Sequence, residues 1–379
     1  MKFLHLADLH LGKRYNEFSL IGDQKYILDE IVGIFDAERC DGVIIAGDIY
    51  DKSVPSAEAV ELFDGFLNAL AERGAQVFAI SGNHDSAERI AFGSRLMSLG
   101  GVHFSPVYSG AVEPVRLRDK YGVVNVYMLP FIKPATVRRF FGGQTIENYN
   151  DAVKAAVNAM NLDTGERNVL VAHQFVTGAS HSGSEEFVVG DLGNVDAEIF
   201  APFDYTALGH VHGEQNVGSS AVRYSGTPLK YSLSEAKNEK SVTVVELGQK
   251  GDLNVRTVAL KPLRDVVEIR GTYEELTKRS FYGGTTLTGD LVHVVLTDEE
   301  EVPDALGKLR LIYPDIASLR YDNARTRESS QVGQLEAVSA RSPIELFSAL
   351  FEAQNNKPMS PEQRELAESL IEKIWGDEQ

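Results

Sequence analysis

The sequence predicts an α/β fold: a β-sandwich of two sheets flanked by helices, followed by a small α+β unit and a helical tail. Three observations predict it. Over residues 1–262, short apolar runs of strand length alternate with segments of helical periodicity. After residue 262 a second, shorter α+β pattern begins. Residues 342–379 then carry two helix starts behind a polar stretch.

Taken in order, residues 3–7 form an apolar strand that ends at Asp8. Ile27, Leu28, Ile31, Val32 and Phe35 share one helical face. Residues 43–46 form a short buried strand. Ser56 can cap a helix carrying Val60, Phe63, Leu67 and Leu70, with Gly74 to end it. Residues 77–81 form the next strand, followed by a helical stretch through Leu99. Residues 123–129 and 168–172 read as strands with a helix around 151–160 between them. Residues 205–208 form another strand, and 221–258 is β-rich. In the second unit, 263–322, residues 265–270 and 291–296 read as strands and 304–313 as a helix. Residues 323–341 are polar and aperiodic, as a linker is. In 342–379, Ser342-Pro343-Ile344-Glu345 and Ser360-Pro361-Glu362-Gln363 each place a Ser cap, Pro at the first helical position, and Glu or Gln two further on.

The 379 residues are 43% hydrophobic and 24% charged, as in ordinary globular domains. No apolar run is long enough to span a bilayer, so no membrane association is expected. The first residues show no secretory leader pattern. Cys40 is the single cysteine and has no internal partner, which suits a reducing cytoplasm. The net charge of −18 excludes a simple basic DNA-binding domain. It does not exclude an enzyme whose bound cations supply positive charge locally. There is no Walker-type phosphate loop, so no nucleotide is expected on this chain.

Five compact motifs carry the chemistry: Asp8-Leu9-His10, Gly47-Asp48-Ile49-Tyr50-Asp51, Gly82-Asn83-His84-Asp85, His173, and Gly209-His210-Val211-His212. Each follows an expected strand, and residues just past the C-terminal ends of such strands face the ligand crevice. Glycines 47, 82 and 209 are expected to permit tight turns. Asp8 and His10, like His210 and His212, are one residue apart, so an extended chain would point each pair one way. Carboxylate, imidazole and amide oxygen suit Mn2+, Fe2+ or Zn2+, and no thiolate site is available. Each motif alone is weak, since a lone histidine is more often packed or solvated. The argument rests on all five in order, each behind a strand.

This series resembles the calcineurin-like metallophosphoesterase superfamily. Leu4-His5-Leu6-Ala7-Asp8-Leu9-His10-Leu11-Gly12 and Ser225-Gly226-Thr227-Pro228 make it similar, within that superfamily, to the bacterial SbcD family of nuclease subunits, relatives of the Mre-type break-repair nucleases. The resemblance implies two divalent metals, Mn2+ first, with Mg2+, Fe2+ and Zn2+ as alternatives. Asp8, His10 and His212 would hold one, Asn83, His173 and His210 the other, and Asp48 would bridge them. His84 would face the scissile phosphate and assist the leaving oxygen, while Asp51 and Asp85 would orient imidazoles as outer partners. His5, His103, His181 and His293 receive no catalytic role. Protein phosphatases of the superfamily usually show Arg-Gly where this chain has Lys52-Ser53, which favours the nuclease branch.

That branch implies two-metal hydrolysis of DNA phosphodiesters in repair, recombination and replication. It implies ATP-independent endonuclease action on single strands or hairpins, and ATP-dependent 3′-to-5′ exonuclease action on duplexes. The partner would be an SbcC-like ATPase with a coiled coil, joined to a homodimer of this chain in a heterotetramer on the cytoplasmic nucleoid. The domains would be a catalytic domain (1–262), a cap (263–322), a linker (323–341) and a partner-binding helix-loop-helix (342–379). Lys13, Arg14, Lys52, Arg89 and the Arg138-Arg139 pair could meet DNA phosphates. Ile344, Phe347 and Phe351 on one helix, and Leu366, Leu370 and Ile374 on the next, would clasp the ATPase. A phosphodiesterase for a small nucleotide or other small phosphodiester is the alternative, and a non-catalytic scaffold a more distant one.

Overall fold

In a computed structural model the described residues are 1–180, 194–323, 344, 347–348, 351–352 and 358–375, with the backbone alone for 368, 369 and 371–375. The expected Ser342 helix start, the linker from 324 to 341 and His181 lie outside them. By its contacts the chain divides into two units. One comprises Met1–Arg270, Glu274–Val295 and Asp304–Leu319. The other comprises Gly271–Tyr273, Leu296–Pro303 and the residues from Arg320 onward.

The first unit is built on two six-stranded sheets. The first sheet runs Leu253–Ala259, Ser241–Leu247, Lys2–Leu6, Gly42–Ala46, Gln76–Ile80 and Val102–Phe104 from edge to edge. Its last four strands are parallel, and the two at the other edge are antiparallel. The second sheet runs Gln215–Val217, Ser219–Tyr224, Tyr205–Gly209, Arg167–His173, Gly122–Leu129 and Val115–Asp119, with its four central strands parallel.

The strands are apolar on both faces, as parallel strands covered on both sides must be. Alternation sends Leu4, Leu6, Val43, Ile45, Val77 and Ala79 outward, under the helices Ile21–Glu38 and Ala57–Ala71. It sends Phe3, Ile44, Ala46, Phe78 and Ile80 inward, against Val124, Val126, Val169, Val171 and Ala207 of the second sheet. Helix Tyr149–Asn158 covers that sheet's other face through Val153, Ala156 and Val157. Each such buried Val, Leu, Ile or Phe side chain contributes about 1.5–3 kcal/mol. His5 lies among the inward-facing residues. Its Nδ1 meets Tyr205 Oη at 2.8 Å and its Nε2 meets the Leu208 carbonyl at 3.2 Å, so it staples the two sheets. Burial pushes the His5 imidazole down to about 3 and keeps it neutral.

Expected and observed elements agree to within a few residues, with one instructive exception. The expected helix through Leu99 is broken into Ala87–Ile90 and Ser94–Met97, because Gly93 turns left-handed at φ 72°. Ser56 caps its helix as expected, its Oγ accepting from Ala59 N.

The sheet of Val266–Gly271, Leu291–Leu296 and Ile316–Tyr321 belongs to the 263–322 segment. Val266 and Leu291 join the same core as Leu20, Leu229 and Leu260. Tyr15 Oη meets His293 Nε2 at 2.7 Å, Asn16 donates to the Ala317 carbonyl, and Arg264 pairs with Asp23 and Asp315. In the second unit, Pro361–Trp375 is a helix. Gln363 N donates to Ser360 Oγ, and Ser360 N donates to Gln363 Oε1, a reciprocal capping box. Among the described residues, no helix is long and apolar enough to cross a membrane.

Candidate metal centre

The site lies where the parallel strands of both sheets end. Lys2–Leu6 leads into Asp8 and His10, Gly42–Ala46 into Asp48, and Gln76–Ile80 into Asn83 and His84. From the second sheet, His173 is the last residue of its strand, and Tyr205–Gly209 leads into His210 and His212.

The loops are not extended, which corrects the expected reason for the paired residues. Asp8, His10, Asp48 and His210 all have left-handed backbones, at φ 54°, 43°, 49° and 101°. Such conformations cost about 1–3 kcal/mol each and persist only where the surroundings over-determine them. Here Asp8 N donates to the Gly47 carbonyl, His10 N to the Asp48 carbonyl and Leu11 N to the Ile49 carbonyl, zipping the first two loops together. The pairs also divide. His210 Nδ1 approaches Asn83 Oδ1 at 3.0 Å, whereas His212 Nε2 lies 3.2 Å from His10 Nε2.

The glycines are corrected in the same way. Gly47 needs its left-handed φ of 89°. Gly82 and Gly209 have no such φ and are needed for close approach. A Cβ at Gly82 would overlap the Asp48 carboxylate, and one at Gly209 the Ala46 carbonyl.

All eight expected side chains converge. His173 Nε2 lies 3.0 Å from Asn83 Oδ1 and 3.3 Å from Asp48 Oδ2, and its Nδ1 meets the Ala46 carbonyl at 2.8 Å. Asp48 Oδ1 accepts from His84 N at 2.9 Å, leaving Oδ2 to face His173, His10 and His84. Asp8 accepts from His210 N. Among the described residues, three groups have their ligand atoms within 4.8 Å of one another: Asp8–His10–His212, His10–Asp48–His84 and Asp8–Asp48–His173. His84 is less buried than His10, Asp48 and His173. Its Nδ1 meets the Asp51 carbonyl at 3.2 Å.

The two outer acids differ from each other, Asp51 facing the His10 imidazole and Asp85 facing backbone. Among the described residues, Asp85 hydrogen-bonds to no imidazole. It accepts from Ile49, Tyr50 and Gly82 N–H groups and so ties the second loop to the third. Asp51 Oδ1 lies 3.9 Å from His10 Nδ1 and takes Lys13 Nζ at 2.7 Å. Lys13 is thereby paired, while Arg14, Lys52 and Arg89 are exposed.

Electrostatically the cluster holds protons that a cation would displace. Burial pushes the Asp8 carboxyl up to about 7. Burial also opposes ionisation of Asp48, but the adjacent His173 outweighs it and holds Asp48 well below the carboxylate range. Burial lowers His173 as well, and Asp48 outweighs it in turn, raising His173 to about 9. Burial pushes His10 well below its ordinary value, and its buried Nδ1 has no hydrogen-bond partner among the described residues. Two imidazole nitrogens face each other and a carboxylate oxygen faces three rings. This oxygen and nitrogen donor set fits divalent cations.

The chain is similar to known proteins. Residues 1–214 match the family described as calcineurin-like phosphoesterase, and residues 262–355 match one described as type 5 capsule protein repressor C-terminal domain. The SbcD component of the SbcCD nuclease of Staphylococcus epidermidis is 34% identical over 323 residues, which is 84% of this chain and 85% of that protein. The chain belongs to the SbcD family of calcineurin-like phosphoesterases. The corresponding SbcD protein of Staphylococcus saprophyticus is 32% identical over 84% of each chain. Among solved structures, a dimetal phosphatase from Danio rerio aligns with 69% of this chain and 98% of its own at 12% identity and a TM-score of 0.39.

In this calcineurin-like phosphoesterase, further residues shape the site that the motifs did not name. Gln24 is buried in the first helix. Its Nε2 donates to the His10 carbonyl at 2.8 Å and its Oε1 accepts from Gly12 N. Tyr231 donates to the Leu9 carbonyl, and its ring stands edge-on to His10. Gln24 could have been noticed, since it lies three and four residues before Ile27 and Leu28 and so shares their apolar face. Tyr231 sits in an aperiodic stretch that carries no such signal.

Proposed function

We propose that this chain is the nuclease subunit of an SbcCD-like complex and hydrolyses DNA phosphodiester bonds with two divalent cations, Mn2+ being the working metal. The observation that carries this reading is the convergence of Asp8, His10, Asp48, Asn83, His84, His173, His210 and His212 on one cluster, five of them buried and Asn83, His84 and His210 half-buried. Asp8, His10 and His212 would hold one cation and Asn83, His173 and His210 the other, with Asp48 between. When bound, the cations supply Lewis-acid charge and a water acidic enough to attack phosphorus at neutral pH.

The protein's own groups do the rest. Asp48 keeps Oδ2 free for the centre because Oδ1 is occupied by His84 N. His84 has its Nδ1–H on the Asp51 carbonyl, so the imidazolium form would carry its second proton on Nε2 and pass that proton to the departing alkoxide. The zipped loops and Asp85 hold these groups rigid before substrate arrives.

Arg14, Lys52 and Arg89 are the exposed cations assigned to DNA phosphates, so binding weakens with salt. Phe92, Leu96 and Leu99 are apolar and, at 76–85% exposure, face solvent, a surface suited to a second copy of this chain. Phe347, Leu366 and Leu370 are likewise exposed and suit an SbcC-like coiled coil within a heterotetramer. Ile344 and Phe351 are half-buried, and the Ile374 side chain lies outside the described residues. The 263–322 segment is read as a cap, and the cytoplasm as the site of action.

One assay tests the reading. The full chain with Mn2+ is offered hairpin DNA and bis-(p-nitrophenyl) phosphate. Cleavage of the hairpin supports the nuclease. Cleavage of the small ester alone favours a small-molecule phosphodiesterase.

A further inference from the structure

The segment 225–240 closes around His212. Glu235 ends the short turn Leu233–Glu235 and is fully buried. Its Oε1 lies 3.6 Å from His212 Nδ1. Its Oε2 takes Lys240 Nζ at 2.5 Å and lies 3.2 Å from Thr227 Oγ1. Lys240, also buried, donates to the His212 carbonyl at 3.1 Å and to Thr227 Oγ1 at 2.6 Å. Thr227 N donates to the same carbonyl at 3.1 Å. Lys240 and Thr227 therefore hold the His212 carbonyl, and the Glu235 carboxylate faces its ring at ion-pair distance.

A histidine that offers Nε2 to a cation must carry its proton on Nδ1, and that proton needs an acceptor. His173 meets this need with the Ala46 carbonyl. On His212, Nε2 faces His10 and the centre, and Glu235 is the carboxylate on the Nδ1 side. A buried Glu–Lys pair is weak evidence for stability, because desolvation consumes most of its attraction. Its placement against both ends of one candidate ligand is what gives it a role.

We propose that Glu235 is a positioning residue for the metal-dependent hydrolysis, holding His212 as the Nδ1–H form with Nε2 aimed at the centre, while Lys240 fixes the carboxylate. This rests on His212 being a metal ligand.

The test uses the full-length wild type, Glu235→Gln, and the double variant Glu235→Gln/Lys240→Met, which leaves no orphan buried charge. Mn2+ binding is followed by calorimetry, the metal-free fold by thermal melting, and ester hydrolysis across a Mn2+ series. The wild type binds two Mn2+. In the variants one of the two sites weakens about 10–100-fold, the other is unchanged, and activity returns at saturating Mn2+. A folded double variant with both affinities unchanged overturns the proposal. Should neither variant fold, imidazole nitrogen NMR of the Zn2+-loaded wild type decides. A His212 Nδ1 proton protected from exchange supports the proposal, and a freely exchanging one overturns it. A wild type that binds no Mn2+ removes instead the metal reading beneath it.

Discussion

The metal centre and the tail helix Pro361–Trp375 bury opposite things. At the centre, Asp8, Asp48 and His173 are polar and at most 2% exposed. On the tail, Leu366 and Leu370 are apolar and 62% and 51% exposed. Burying a polar group costs free energy unless its partners are supplied, and the centre's partners are largely within the chain. Exposing apolar surface costs free energy unless something covers it, and nothing among the described residues covers these two leucines. The first region is complete enough to be read as chemistry, and the second only as a demand for a partner.

The largest effect that would break this contrast is at His84. His84→Ala removes a proton donor and no assigned ligand. Turnover of hairpin DNA should fall about 10²–10⁴-fold, with two Mn2+ still bound by elemental analysis. Full activity would take His84 out of the chemistry, and loss of a metal would make it a ligand.

Next comes the pH dependence of metal affinity. His173 holds its proton up to about pH 9 in the metal-free chain, and Asp8 to about pH 7. Each cation must displace these protons, so affinity falls as pH drops below 9, by roughly tenfold per pH unit while one proton is displaced. Calorimetry in buffers of different ionisation enthalpy would count the protons released. A flat profile from pH 9 to pH 7 would contradict the assignment of His173.

A smaller effect belongs to His5, the buried staple beside the centre. Its folded value of about 3 lies below the ordinary 6.5, so the unfolded chain binds the proton more tightly. Its contribution is fully present above pH 6.5 and is lost as pH falls toward 3. At pH 5 the loss is about 2 kcal/mol. Urea unfolding of metal-free wild type and His5→Gln at pH 7 and pH 5 would show the difference in slope. Equal slopes would mean that His5 is already charged in the fold.

The smallest effect is on the tail. Leu366→Ser/Leu370→Ser should change stability by no more than about 0.5 kcal/mol, as exposed positions do. It should spare Mn2+-dependent hydrolysis and abolish co-purification with an SbcC-type ATPase. An intact complex would sink the clasp, and a large drop in melting temperature would show that these leucines serve the chain's own fold.

Much of this protein was legible in its sequence by itself. Strand runs such as 43–46, the cap at Ser56, the capping box at Ser360 and the order of the five motifs are local patterns, with their causes within a few residues. From these the two sheets and the five motifs could be read, and the family resemblance that implies the eight candidate site residues rests on those motifs. The tertiary structure alone decided how the residues are aimed. It put Asp8, His10, Asp48 and His210 into left-handed turns. It sent His210 toward Asn83 and His212 toward His10, and it brought Gln24, Tyr231 and Glu235 behind them. The physical reason is distance along the chain. His10 and His212 meet across a separation of 202 residues, and no periodicity records which of two neighbouring side chains will turn toward a partner that far away.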